Sequence, residues 1–423
     1  MEASFRRYRW ELLAATWCSY AGFYMTRKVF GVVKPELKVA LGLHDDFAVS
    51  HLWTVYLVAY MLGQFLTAAM GRRFSSRDLL LVGMSVSVLC NVAIGSFLWL
   101  GGSLGYTLIL VAMGVHGFAQ ATGWANNVGL VTQWTTKGER GTVMAIWSTC
   151  YQIGSVIAKA FAAFVFGLAG IIWSFWGTAA VLGVFVVVFW FWGRERPEDH
   201  GFPPLEVDAP PEAPSADREA LAGARYAAWL RLVVSMGLVY FTFKFLRYAI
   251  DSWTSVLLVD TFGIGTERAG YYSTAFDWVG FIGVLAAGTI SDRWFASRRG
   301  PVVFAMTAGL VLATLALWGF GQHNVVVFTG LLGVIGFMAM GPDSLLSGAG
   351  AVDVGDRRQA AMAVGIINGL GSIGPIVQEP VIGWLKSGWG ASVVYDLLVA
   401  VSMLAVLGVG LLWASARRSG VDW

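Results

Sequence analysis

The sequence predicts an all-α membrane protein whose twelve transmembrane helices form two pseudo-symmetric six-helix bundles. Three observations carry this: a composition too apolar for a water-soluble domain, apolar stretches of one recurring length, and an internal register that repeats at an offset of 220 positions.

The 423 residues are 57% hydrophobic and 13% charged, with 20 Trp and 27 Phe. Mean hydropathy is +0.65, far from the makeup of a soluble domain. About 20 apolar residues cross roughly 30 Å of hydrocarbon as a helix. Such stretches fall at 10–33, 51–71, 79–100, 105–133, 141–167, 170–192, 228–259, 269–290, 301–320, 325–350, 360–385 and 391–414. The first lacks a short apolar core followed by a small-residue cleavage site, so it is expected to stay in the mature protein. Cys18, Cys90 and Cys150 lie inside spans without ligand partners and are expected to be small core residues.

The basic residues set the orientation. Arg6, Arg7, Arg9, Arg72, Arg73, Arg77, Lys137, Arg140, Arg194, Arg196, Arg218, Arg225, Arg293, Arg298, Arg299, Arg357, Arg358, Arg417 and Arg418 fall on the side carrying both termini, whereas Lys34, Lys38, Arg268 and Lys386 fall on the other. The positive-inside bias therefore predicts cytoplasmic termini in a multi-pass protein of the cell membrane, the inner one in a Gram-negative organism. The net charge of +3 is accounted for by topology and calls for no nucleic acid.

Between the sixth and seventh stretches lies "GRERPEDHGFPPLEVDAPPEAPSADREALAGAR", rich in proline and charge and too polar to build a core. It divides the chain into a bundle at 1–193, a loose cytoplasmic linker at 194–225 and a second bundle at 226–423. The halves share one plan. Arg27 and Arg247, Arg72 and Asp292, Gly154 and Gly374, and Lys159 and Glu379 all stand 220 positions apart. In the second half, Gly288, Asp292, Arg293, Arg298 and Arg299 form a G-x3-D-R-x4-R-R pattern. It is expected to act as a gating latch, Gly288 allowing close helix approach and Asp292 holding cations at helix ends.

Charges inside spans are costly and mark functional interiors. Here they are Arg27 and Lys28 in "FYMTRKVFGVV", Lys159, Lys244, Arg247, Asp251, Asp277, Asp343 and Glu379. Tyr20, Tyr24 and Arg27 share one helical face, as do Lys244, Arg247 and Asp251. The lysines are expected to find salt-bridge or coupling partners among Asp251, Asp277 and Glu379. Two arginines at equivalent depth in the two halves suit a dianionic phosphate, because a guanidinium donates two parallel hydrogen bonds to such an anion.

The segment "YMTRKVFGVVK" resembles the first-helix signature of the organophosphate:inorganic phosphate antiporters, major-facilitator proteins that include the glycerol-phosphate, hexose-phosphate and sugar-phosphate exchangers. Similarity recurs at "QATGWANNV", "GERGTVMAIWS", "GRERPEDHG", "FDWVGFIG" and "INGLGSIGP". The resemblance implies the major-facilitator fold, phosphate-clamping arginines at Arg27 and Arg247, and the family's eighth-span acid at Asp277. Where bacterial members carry a Lys in span two and a His in span five, this chain has Gln64 and Tyr151. The resulting site is less positive and lacks an obvious titrating group. Glu379 has no counterpart in the resemblance.

The expected function is exchange of a phosphorylated small organic molecule, a sugar phosphate in the first instance, for inorganic phosphate by alternating access. Arg27, Arg247, Lys28, Tyr24, Tyr151, Gln64, Lys244 and Trp124 would line the substrate site. Gln120, Asn126, Asn127 and Asp343 would read the organic part or bond between helices. The alternatives are a non-transporting membrane sensor of a sugar phosphate and a proton-coupled symporter using Asp277 or Glu379. The five histidines lack metal spacing and no G-x-x-x-x-G-K-[ST] loop occurs, so neither an enzyme, a metal, a cofactor nor an ATP-driven pump is expected. Lipid surrounds a protein expected to act as a monomer, since one chain supplies both halves.

Overall fold

The computed structural model describes residues 2–71, 73–136, 139–203, 219–295, 298–349 and 357–418. Arg72, Lys137 and the linker residues 204–218 lie outside them. Among the described residues every regular element is helical. The helices are α1 (Glu2–Ala40), α2 (Asp46–Met70), α3 (Ser76–Phe97), α4 (Gly102–Ala121), α5 (Gly123–Gln133), α6 (Arg140–Trp147) and α7 (Thr149–Trp192), then α8 (Glu219–Phe262), α9 (Thr266–Trp294), α10 (Arg299–Gly319), α11 (Val325–Ser344), α12 (Arg357–Trp389) and α13 (Ser392–Arg418).

Among the described residues nine segments are long and apolar enough to cross a membrane. At 44 residues α7 would be about 66 Å long if straight, twice the hydrocarbon thickness. It folds back at Gly170, whose φ of 83° suits only glycine, and so supplies two passes. α1 and α12 carry more charge and are not among the nine; with them and the second pass of α7, the described residues make twelve passes. α4 and α5 form one interrupted pass, and α11 continues into a π-helical turn at Leu345–Ala349 after Pro342. Freed backbone groups of this kind are tolerated where neighbouring protein surrounds them.

The chain forms two compact units, Met1–Pro210 with Gly265–Tyr271, and Pro211–Ile264 with Tyr272–Trp423. In the first, α1 packs on α7 and α2 on α4; in the second, α8 packs on α12. The repeat is visible in these contacts. A Cβ at Gly154 would lie 2.9 Å from Ala21 Cα, and one at Gly374 would lie 2.6 Å from Phe241 O; Ala21 and Phe241 are themselves 220 apart. A Cβ at Gly117 would meet Tyr56 O at 2.3 Å, and one at Gly336 would meet Phe276 O at 2.2 Å. In both units, then, glycine lets one helix reach another's backbone; Tyr56 and Phe276 keep the offset of 220, and the glycines that meet them stand one position out of it.

Two expectations change. The stretch read as loose is seated on the first unit over its first residues. Glu195 accepts hydrogen bonds from the amides of Ser76 and Arg77 at the start of α3. Arg194 pairs with Glu11 at 2.7 Å and lies over the Tyr8 ring, and buried Phe202 packs edge-on against Phe5 and Tyr8. Aromatic partners from α1, and Trp134 just after α5, supply the apolar surface that linker composition alone could not. At Gly288, an added Cβ would meet no described atom within 4 Å, so close helix approach is not what this glycine provides.

Candidate functional site

In the first unit α1 carries Arg27 into the interior, where it is 7% exposed. Its Nε and Nη2 donate to Gln120 Oε1 on α4 at 3.2 and 3.0 Å. The guanidinium carbon stands 5.0 Å from the Tyr24 ring centroid and 4.9 Å from that of Tyr60 on α2. Among the described residues no carboxylate pairs with Arg27, and Nη1 donates to no protein acceptor. A buried cation held by a neutral amide and two ring faces keeps its positive charge. The end-on edge of its fork remains open to a two-oxygen acceptor.

Gln120 is itself gripped. Its Nε2 donates to Thr26 Oγ1 at 2.9 Å and Phe23 O at 3.2 Å, and lies 3.0 Å from His116 Nε2. Beside this network Tyr20 packs against Tyr24, Trp124 and Trp147, and Trp124 packs against Trp147 and Tyr151. Lys28 is half-buried with Nζ 5.4 Å from the Tyr24 ring. Gln64 is exposed, one helical turn after Tyr60 on α2. Lys159 is buried in α7.

In the second unit Arg247, on α8, donates from Nη1 to Asp343 Oδ2 on α11 at 2.9 Å. Lys244, one turn earlier, donates to Ser372 Oγ on α12 at 3.1 Å and lies 5.1 Å from the Tyr240 ring. Among the described residues Lys244 forms no ion pair, contrary to the expectation of a carboxylate partner; its hydrogen-bond partner is Ser372. Glu379 is fully buried; its Oε2 accepts from Trp253 Nε1 at 3.1 Å and from Gln378 Nε2 at 3.0 Å. Asp277 is buried in α9, and Asp251 is partly buried in α8 one turn after Arg247. In the latch pattern Asp292 pairs with Arg299 across the α9–α10 junction, while Arg293 is exposed.

Sequence spacing left four participants unremarked: Tyr56, Tyr60, Asn91 and, as a neighbour of Gln120, His116. A signal existed, since Tyr60 and Gln64, and likewise His116 and Gln120, stand four apart on one helical face.

Two six-pass units with buried cations, aromatic walls and amide networks define a multi-pass membrane carrier rather than an enzyme. Residues 16–378 match the Major Facilitator Superfamily, and the chain belongs to that family. It is 26% identical over 436 residues to the glycerol-3-phosphate transporter of Bacillus subtilis (strain 168), covering 99% of this chain and 95% of that protein. It is 24% identical over 440 residues to a probable hexose phosphate transport protein of Chlamydia muridarum (strain MoPn / Nigg), covering 99% and 94%. Both agree with the resemblance to the organophosphate:inorganic phosphate antiporters. Among solved structures, a bacterial homolog to the human lysosomal transporter Spinster, inward-facing and occupied, matches with a TM-score of 0.74 at 15% identity over 97% of each chain; that likeness concerns the fold.

Proposed function

We propose that this chain is a secondary transporter that exchanges a phosphorylated small organic molecule, in the first instance a sugar phosphate, for inorganic phosphate by alternating access. Both termini would face the cytoplasm. Arg27 and Arg247 are the phosphoryl ligands, with Lys28, Lys244, Tyr24, Tyr151, Gln64 and Trp124 around the substrate. Full-length similarity to phosphate-ester transporters supports the substrate class. The observation that carries the proposal is Arg27: a buried guanidinium with a neutral partner on one edge and its paired end-on donors unspent.

Such a cation favours a dianion over neutral or zwitterionic cargo. Without the anion its charge is uncompensated, which disfavours any conformation that buries it further. Obligatory exchange follows, rather than uniport. The test is counterflow of labelled phosphate in proteoliposomes, with Arg27→Lys and Arg247→Lys as variants. Loss of exchange in both is expected, because a point-charge ammonium cannot reproduce the planar fork. Near-normal exchange in either overturns the assignment. Tight phosphate-ester binding without flux would instead make the protein a sensor. Flux that depolarises or acidifies the vesicles and ignores phosphate on the far side would make it a proton-coupled symporter.

A further inference from the structure

We infer that His116 is a positioning residue: a neutral imidazole, protonated on Nδ1, that locks the Gln120 amide and thereby aims Arg27. The inference rests on the assignment of Arg27 as a phosphoryl ligand.

The polarity of the network follows from donor counting. A guanidinium can only donate, and two of its N–H groups converge on one atom of Gln120. That atom is the oxygen, so the Gln120 NH2 points away, toward Thr26 Oγ1, Phe23 O and, at 3.0 Å, His116 Nε2. On the other side Asn91 Nδ2 lies 3.1 Å from Ser87 O. A carbonyl oxygen only accepts, so this end of Asn91 is also a donor, and it lies 3.3 Å from the same His116 nitrogen. Nε2 thus faces N–H groups from α3 and from its own helix. Only an unprotonated ring nitrogen accepts them, which leaves the ring proton on Nδ1. His116 is 2% exposed, so bulk solvent does not take over this duty.

The charged and titratable groups facing the ring from packed helices are Arg27 of α1, through Gln120, and Tyr56 of α2, whose ring centroid is 5.4 Å away. α3 contributes only the neutral Ser87 and Asn91. An added proton on Nε2 would meet two amide NH2 groups and set a second cation beside the first. Gln120 would relieve this by turning its oxygen to the ring, which presents its NH2 to the guanidinium and releases Arg27. A protonated His116 therefore works against the Gln120 orientation that aims Arg27, an orientation that Phe23 O and Thr26 Oγ1 also hold.

Two measurements on the full-length protein test this. Nitrogen NMR of histidine-labelled wild type, with the His116 signal assigned by its absence in His116→Gln, is expected to show a neutral, Nδ1-protonated ring at neutral pH. An Nε2-protonated or imidazolium ring overturns the inference, and this arm needs no functional variant. Equilibrium binding of inorganic phosphate is expected to weaken roughly tenfold in His116→Leu, which leaves the second Asn91 N–H without its acceptor and takes away one of the acceptors that hold Gln120, and to recover in His116→Gln, whose amide oxygen accepts. The ratio of wild-type to His116→Gln affinity cancels the ionisation of phosphate itself and is expected to fall on acidification. A flat ratio together with wild-type affinity in His116→Leu overturns the inference. If Arg27→Lys binds phosphate normally, the assignment of Arg27 fails. If Arg27→Lys loses binding while the His116 variants do not, only the role of His116 fails.

Discussion

Arg247 is met by the carboxylate of Asp343 at 2.9 Å, whereas Arg27, 220 positions earlier, is met by the neutral Gln120. The two cations that sequence alone treats as equivalent differ in how much charge they have left to offer. Asp343 Oδ1 has no hydrogen-bond partner among the described residues, so this acid is only half satisfied by its role.

Asp343→Asn is expected to tighten phosphate binding about fivefold, near 1 kcal/mol, by removing a competing anion while keeping an acceptor. Release should slow in step, so that exchange falls while affinity rises. Equilibrium binding and counterflow on the same preparation check this. Unchanged affinity would show that Asp343 does not compete for Arg247.

Tyr60→Leu removes one of the two ring faces over Arg27 and is expected to weaken phosphate binding by about 0.5–2 kcal/mol. Tyr60→Phe keeps the ring and should stay close to wild type. Equal losses in the two variants would assign the effect to the hydroxyl instead.

The crossing glycines and the latch glycine should part company in thermal melts. A Cβ at Gly336 would stand 2.2 Å from a backbone oxygen that has no rotamer to yield with. Gly336→Ala is therefore expected to cost about 1–3 kcal/mol and lower the melting temperature. Gly288→Ala enters open space and should leave it unchanged. A destabilised Gly288→Ala would restore a packing role to that position.

The seated linker should loosen in acid. His200 stands edge-on to Tyr8, 5.5 Å away, and its pKa is lowered by burial and by the Arg194 cation, with Asp199 pulling the other way. Once unseated, the ring returns to the ordinary histidine range and binds a proton more readily. Seating is thus at full strength above that range, near pH 6.5, and declines as the pH falls through it toward the lowered value. Proteolysis within 193–203 should quicken over that interval and become less pH-dependent in His200→Asn. Phe202→Ala should quicken it at every pH.

Much of this was legible beforehand, and the failures have physical causes. Span lengths follow from bilayer thickness, so twelve passes could be counted from composition. The 220-position register located Arg27 and Arg247, and paired Gly154 with Gly374, because duplication preserves backbone approaches. The partner of Arg247 was harder to find. Asp251 lies on the same helical face, but the 2.9 Å acceptor comes from α11, 96 residues away, and no local spacing announces a contact between helices. His116 has no metal spacing, and its place beside Gln120 shows only as an i, i+4 pair on one helical face. The linker misled for a related reason: composition reports what a segment cannot build alone, and Phe202 borrows its seat from α1 and Trp134.

The glycine crossings place the weight of each half on main-chain atoms, where exchanging side chains elsewhere leaves the frame untouched. Tyr24 and Lys244, Gly123 and Asp343, and Lys159 and Glu379 have drifted apart at matching places while Gly117 and Gly336 still meet the carbonyls of Tyr56 and Phe276. A lineage built this way can retune one half without a compensating change in the other.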